Sequence, residues 1–183
     1  MRNTMASRSP DLSTVTTRTA TSADLPVIGR LGTLLVRLHH DFDPQRFIAA
    51  TPGTEKGYGS FLGTQLEAPN VIVLVAEQSG EVLGYSYAGV EGYDYMSLRG
   101  PAGILYDIVV DPDHRGAGVG RMLLEATLAA LAALGAPRVV LSTAERNEPA
   151  QRLFARTGFR RTMIEMTREM ATPQRDGRSS HGQ

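Results

Sequence analysis

The residues with the clearest chemical potential lie between Ile104 and Gly120, in the order Ile-Leu-Tyr-Asp-Ile-Val-Val-Asp-Pro-Asp-His-Arg-Gly-Ala-Gly-Val-Gly. The first part is a β-branched apolar run with one embedded acid, Asp107, and it reads as a buried strand. Asp111-Pro112-Asp113 ends it, because proline donates no ladder hydrogen bond and aspartate favours turns. Arg115, Gly116, Ala117, Gly118, Val119 and Gly120 follow, and an unbroken helical pattern starts at Arg121. A strand, a glycine loop and a helix start in succession aim several backbone N–H groups at one spot. The helix dipole adds roughly half a positive charge there, so the loop is an anion site, and a diphosphate is the anion it suits.

Other chemistries are poorly supplied. Cysteine is absent, which removes disulfides, thiolate metal sites and cysteine nucleophiles together. The histidines at 39, 40, 114 and 181 form no ligand cluster, so no metal site is expected. Lys56 is the only lysine among nineteen basic residues, the bias of a GC-rich bacterial genome, and it leaves little choice for a catalytic lysine. Formal net charge is zero and gives no reason to expect a nucleic-acid partner. Residues 1–14 are polar and lack the apolar core of a signal peptide, and no apolar run approaches a membrane span. The expectation is a cytoplasmic protein with no membrane partner.

The elements that must position the loop follow from periodicity. Residues 1–13 read as a disordered leader, 14–170 as one domain and 171–183 as a flexible tail. Val15 to Ala20 is a first strand; Ser22 or Asp24 caps a helix whose apolar face is Leu25, Ile28, Leu31, Leu35 and Leu38. A short helical turn over 47–50 and a helix over 58–66 come next. Val71 to Ala76 and Val82 to Val90 form a hairpin about Ser79-Gly80, and a loop over 92–101 leads to the strand that carries Asp107. After the glycine loop come a helix over 122–134 stopped by Gly135, a strand over 139–142, a helix over 148–157 capped by Asn147, and an alternating final strand over 159–170. The fold class is α/β (α+β): a mixed sheet of about six or seven strands flanked by about four helices.

Which ligand the loop takes depends on its spacing. A triphosphate-binding loop needs Gly-x-x-x-x-Gly-Lys-Ser/Thr, and Lys56 lies outside any such frame. A dinucleotide fingerprint needs Gly-x-Gly-x-x-Gly, but position 121 is Arg and the third glycine comes one residue early. Arg115-x-x-Gly118-x-Gly120 after Val110-Asp111-Pro112 resembles instead the acyl-coenzyme A loop of the GCN5-related N-acetyltransferase (GNAT) family. Asn147, Ala150, Phe154 and Gly158-Phe159 resemble the family's second signature, and the order of elements is similar from about Val15 to Met170.

That resemblance implies acetyl-coenzyme A as co-substrate. Amides from Gly116 to Gly120, with Arg115 and Arg121, would hold the pyrophosphate, and the splayed backbone of Ile108, Val109 and Val110 would pair with the pantetheine arm. Asn147 would cap its helix and hold the arm, beside Phe154. It also implies a carboxylate base on the strand before the loop, for which Asp107 is the candidate; the alternative is an acid that fixes neighbouring backbone. Simple alternation puts Tyr106 on the opposite face from Asp107. Phe154 stands where the family usually has a tyrosine acid, so the proton donor would be missing or replaced, with Tyr106, Ser142 and Thr143 as candidates. His39 and His40 on one rim, and Tyr93 and Tyr95 on the other, are candidates for acceptor contacts. The implied activity is transfer of acetyl to a primary amine of a small molecule or peptide, with a homodimer through the last strand as an expected assembly. The rival is an acyl-coenzyme A binding or sensing module with weak catalysis, suggested by Phe154.

Overall fold

The computed structural model describes residues 11–170. The rest of the expected leader and the expected tail lie outside the described residues. Leu12–Thr14 is a short 3-10 turn capped by Asp11, whose side chain accepts from the Ser13 N–H. The five strands are β1 (Thr16–Thr19), β2 (Val71–Gln78), β3 (Glu81–Glu91), β4 (Ala102–Val110) and β5 (Val139–Leu141). They stand in sequence order; the first four are antiparallel and β5 joins β4 in parallel. Four α-helices cover the two faces: α1 (Leu25–Phe42), α2 (Thr54–Gln65), α3 (Val119–Ala133) and α4 (Glu148–Arg156).

Each face owes its burial to a sequence period. On one side Ile28 and Leu31 of α1 and Leu62 of α2 pack against Val73, Val75, Tyr85 and Val109 of the sheet. On the other, Leu123, Leu124 and Leu131 of α3 are sealed from solvent, each burial being worth about 1.5–3 kcal/mol. The hairpin turn has both Ser79 and Gly80 at positive φ (51° and 83°), the pattern that matches strand twist. Asp24, one of the two expected caps, is the N-cap of α1, and the short turn before it is capped by Thr21, whose N–H and hydroxyl both donate to Asp24 Oδ2 (2.7 and 3.0 Å). Asp24 is also clamped by both terminal guanidinium nitrogens of Arg18.

Some expected elements differ. Residues 47–50 make no helical turn, and α2 begins at Thr54. The strand expected over 159–170 is not formed: apart from half-buried Phe159 the segment is exposed, and it has no regular structure. Its alternation satisfies one requirement of a strand, but among the described residues no ladder partner is in place to meet its backbone groups. The described sheet therefore has five strands, where six or seven were expected.

The packing of α1 on α2 uses missing side chains. A Cβ on Gly29 would stand 2.4 Å from the Glu55 carbonyl oxygen, and one on Gly32 would stand 2.3 Å from Cδ1 of Tyr58. The helices approach closely enough for Tyr58 to lie across Gly32 and reach the sheet.

Candidate functional site

β4 carries the site, and one irregularity in it decides the geometry. Tyr87 of β3 pairs with Asp107, but the next residue, Ala88, pairs with Leu105, so Tyr106 is an extra residue in β4. Such a bulge bends its strand and interrupts alternation. Tyr106 consequently lies on the same face as Asp107, not the opposite one: its ring stacks on Tyr87 (centroids 4.6 Å apart), which in turn meets Phe61 of α2. Pairing of β4 with β5 covers only Gly103 to Leu105 and stops at the residue before the bulge. Beyond it, β4 and β5 part, as the splayed arrangement requires.

A cavity of about 280 Å³ opens at this parting. Leu35, Val36 and His39 of α1, Phe47 and Ile48, and Tyr58 of α2 line one side; Ser142, Thr143, Asn147, Ala150 and Phe154 line the other. Tyr106, Asp107 and Ile108 form its floor. Asn147 caps α4, its side chain accepting from the Ala150 N–H (3.3 Å). Phe154 is buried against Phe159 and the α3 core. Val109 turns its side chain into the α1–α2 core, so only its backbone is available to the cleft.

Asp107 is held from two sides. The hydroxyl of Tyr58 donates to Oδ2, and that of Tyr85 donates to the same oxygen (3.3 Å). Burial pushes the carboxyl above the usual aspartate range, and the two phenols and nearby His39 oppose that rise. Burial and the neighbouring carboxylate also push the Tyr58 and Tyr85 hydroxyls up, so both stay protonated. Tyr106 has a different partner. Its hydroxyl donates to Glu91 Oε1 (2.6 Å), and Glu91 also accepts from Arg99 (2.6 Å). Burial and that carboxylate raise it too, so its proton is committed to Glu91 and not to the cavity.

The glycine loop sits at the far end of the stretch of β4 that β5 leaves unpaired. Gly116 and Gly118 take positive φ (80° and 96°), and Gly118 is the N-cap of α3. Among the described residues, the N–H groups from Gly116 to Arg121 donate to no backbone carbonyl. Arg115 donates through Nε to the Val110 carbonyl (3.0 Å), which fixes its guanidinium at the loop, while Arg121 pairs with Glu125. Leu12 covers the Cα side of Gly118, where a Cβ would stand 2.7 Å from its Cδ1. Free amides at a helix start and one fixed guanidinium fit a diphosphate.

The acceptor candidates divide. His39 lines the cavity, edge-on to Phe47 (5.0 Å), while its Nδ1–H meets the Leu35 carbonyl (2.9 Å). His40 instead ties the chain after α1, its Nδ1–H donating to the Phe47 carbonyl (2.9 Å). Tyr93 and Tyr95 stack on each other in an exposed loop, 71% and 81% accessible, and are not part of the cavity. Among the described residues no group of side chains could hold a metal ion, and no helix is long and apolar enough to cross a membrane. Tyr58 and Tyr85 were missed in the sequence; the only local signal for Tyr58 was the glycine pattern of α1 and α2.

The model of the acetyltransferase (GNAT) family matches residues 35–159, and the chain belongs to that family. The mycothiol acetyltransferase of Thermobispora bispora is 38% identical over 96 residues, which is 50% of this chain and 31% of that protein. The mycothiol acetyltransferase of Cellulomonas flavigena is 34% identical over 112 residues, 60% of this chain and 31% of the relative. The chain thus spans about a third of the length of these relatives. Among solved structures, a mutant of the BH1408 protein from Bacillus halodurans superposes with a TM-score of 0.74 at 21% identity, covering 85% of this chain and 99% of that one. The aminoglycoside N-acetyltransferase AAC(6')-Iy in complex with CoA gives 0.63 at 18% identity, over 86% and 95% of the two chains. Both likenesses are of fold.

Proposed function

We propose that this chain transfers an acetyl group from acetyl-coenzyme A to a primary amine by direct attack. The observation that carries the reading is continuity. The Asp107 carboxyl in the cavity, the edge of Ile108 to Val110 that β5 leaves unpaired and the amide cradle at 116–121 follow one another along β4 and the loop after it. A diphosphate on the cradle and an extended arm along β4 would deliver a thioester to the cavity floor. Acetyl-coenzyme A would supply there an acyl carbon already activated for attack.

The chain's own residues do the rest. Asp107 accepts the proton that the amine must lose; its raised pKa brings it nearer to neutral pH, where a base works best. The apolar side chains of Leu35, Val36, Phe47 and Ile48 on one wall suit an acceptor with an uncharged body. A single carboxyl in the cavity favours one reacting amine over a polycation. The mycothiol acetyltransferase relatives and the aminoglycoside N-acetyltransferase neighbour support a small-molecule acceptor.

Phe154 favours a second reading, acyl-coenzyme A binding with weak turnover, because a phenyl ring has no proton for the departing thiolate. Calorimetry with coenzyme A and with NAD tests the cradle, and thiol release over a broad amine panel tests turnover. Coenzyme A binding with amine-dependent thiol release is the expected result. Binding without release on any amine would overturn transfer in favour of the second reading, and NAD binding in place of coenzyme A would overturn both.

A further inference from the structure

The two oxygens of Asp107 are not equivalent. Oδ2 accepts from Tyr58 and from Tyr85, whereas Oδ1 has no donor among the described residues and is not among the polar atoms sealed from solvent. The carboxyl lines the cavity, so the unengaged oxygen is the one a ligand meets. Tyr58 itself is held by its ring, which lies against the bare Cα of Gly32. α1, α2 and β4 therefore converge on one carboxyl, with one oxygen anchored and the other presented.

We propose that Tyr58 is a positioning residue for Asp107: it anchors Oδ2, turns Oδ1 to the acceptor amine, and favours the ionised form of the carboxyl. This rests on the acetyl-transfer reading above. In the balance, the amine nitrogen forms its bond to the acyl carbon, the carbon–sulfur bond of the thioester breaks with coenzyme A leaving as its thiolate, and Oδ1 takes one proton from the nitrogen. Tyr58 keeps its own proton, because its hydroxyl is a donor to Oδ2 before and after. Its contribution is to the carboxylate, which an otherwise apolar wall would disfavour. The groups facing Asp107 are His39 from α1, Tyr58 from α2 and Tyr85 and Tyr87 from β3, with Tyr106 beside it on β4. Of these, only Tyr58 and Tyr85 donate to it, and Tyr58 makes the shorter contact.

The sign follows directly. Removing a donor to the charged form raises the pKa of the acid, so the activity that depends on its ionised form is lost at a higher pH. Tyr58→Phe keeps the ring against Gly32 and removes only the hydroxyl. The acid limb of kcat/KM for acetyl transfer moves upward by about 1 pH unit, with most of the rate recovered on the alkaline side. Tyr85→Phe, whose contact is longer, moves it less. A uniform drop in rate with an unmoved limb would overturn the proposal and leave Tyr58 as packing. A second readout needs no turnover: the titration of the Asp107 carboxyl, followed by carbon-13 NMR in wild type, Tyr58→Phe and Tyr85→Phe. An upward midpoint in Tyr58→Phe supports the coupling even if no amine tried is acetylated, a result that would count against the transfer reading alone. An unchanged midpoint in a folded Tyr58→Phe protein overturns the coupling whatever the rates.

Discussion

Gly32→Ala is the substitution that most directly tests how the site is built. Alanine is worth about 1 kcal/mol more than glycine in a helix interior, so propensity alone predicts a stabilised α1. The structure predicts the reverse. The new Cβ would lie 2.3, 2.5 and 2.7 Å from Cδ1, Cε1 and Cγ of Tyr58, and the ring must leave. Overpacking of this kind costs about 1–3 kcal/mol. The bond from Tyr58 to the Asp107 carboxyl goes with the ring, and a hydrogen bond to a charged group contributes about 1.5–3 kcal/mol. After subtracting the propensity gain, the net loss is about 1.5–5 kcal/mol. For a chain of this size that lowers Tm by about 3–20 °C. Gly57 is the control. It also lies in a helix, nothing stands within 4 Å of its built Cβ, and Gly57→Ala gains up to about 1 kcal/mol. Urea and thermal unfolding of both variants, with Tyr58→Ala alone and combined with Gly32→Ala, complete the measurement. The double variant is less damaged than the sum of the singles by about 0.5–3 kcal/mol, because the clash has lost its partner. Equal stability for Gly32→Ala and Gly57→Ala would refute the close approach of α1 to Tyr58, and with it the anchoring of Asp107.

Three further outcomes are expected. Asp107→Asn lowers kcat by about 10²–10³ if the carboxyl is the base, with coenzyme A affinity kept in calorimetry; a near wild-type rate at every pH makes Asp107 structural. Arg115→Glu weakens coenzyme A binding by about tenfold or more at low salt, the deficit shrinking as ionic strength rises; unchanged affinity sinks the assignment of the cradle. Asp24 is held down to about 2 by its bonds to Arg18, so its contribution of about 2 kcal/mol is complete above the unfolded aspartate value near 4 and is lost as pH falls toward 2. Asp24→Asn accordingly flattens the acid side of the stability profile, and a parallel profile would show that the pair contributes nothing.

The sequence was informative wherever the determinant was local. The glycine loop, the turn at Ser79-Gly80, the Asn147 cap and the apolar faces of α1 and α3 are all set by residues within a turn or two of each other. Contacts between distant segments were not legible. Tyr58 and Asp107 are 49 positions apart, and nothing in either neighbourhood announces the other. The facing of Tyr106 was misread for a specific reason: alternation assumes an unbroken ladder, and a bulge is a property of two strands together. The segment 159–170 shows the converse failure, a strand pattern with no strand. His40 and His39 are adjacent in sequence, yet one ties a turn and the other borders the cavity, a division made by the Phe47 carbonyl and not by residue type.

The extra residue at Tyr106 has a consequence for how the cleft could be lost. Leu105 and Asp107 already point to opposite faces, as neighbours in a regular strand do, so Tyr106 is a supernumerary beat in an otherwise even rhythm. Excising that one codon would leave every other side chain of β4 facing as it does now. It would also remove the bend that follows Leu105, letting the ladder with β5 run on toward Ser142 and Thr143. The result is a more regular sheet with a zipped seam, better hydrogen-bonded and without its cavity. A shift of one residue in the β3–β4 register and the end of the β4–β5 ladder thus fall at the same place, and excision of Tyr106 is expected to trade the cleft for a closed wall.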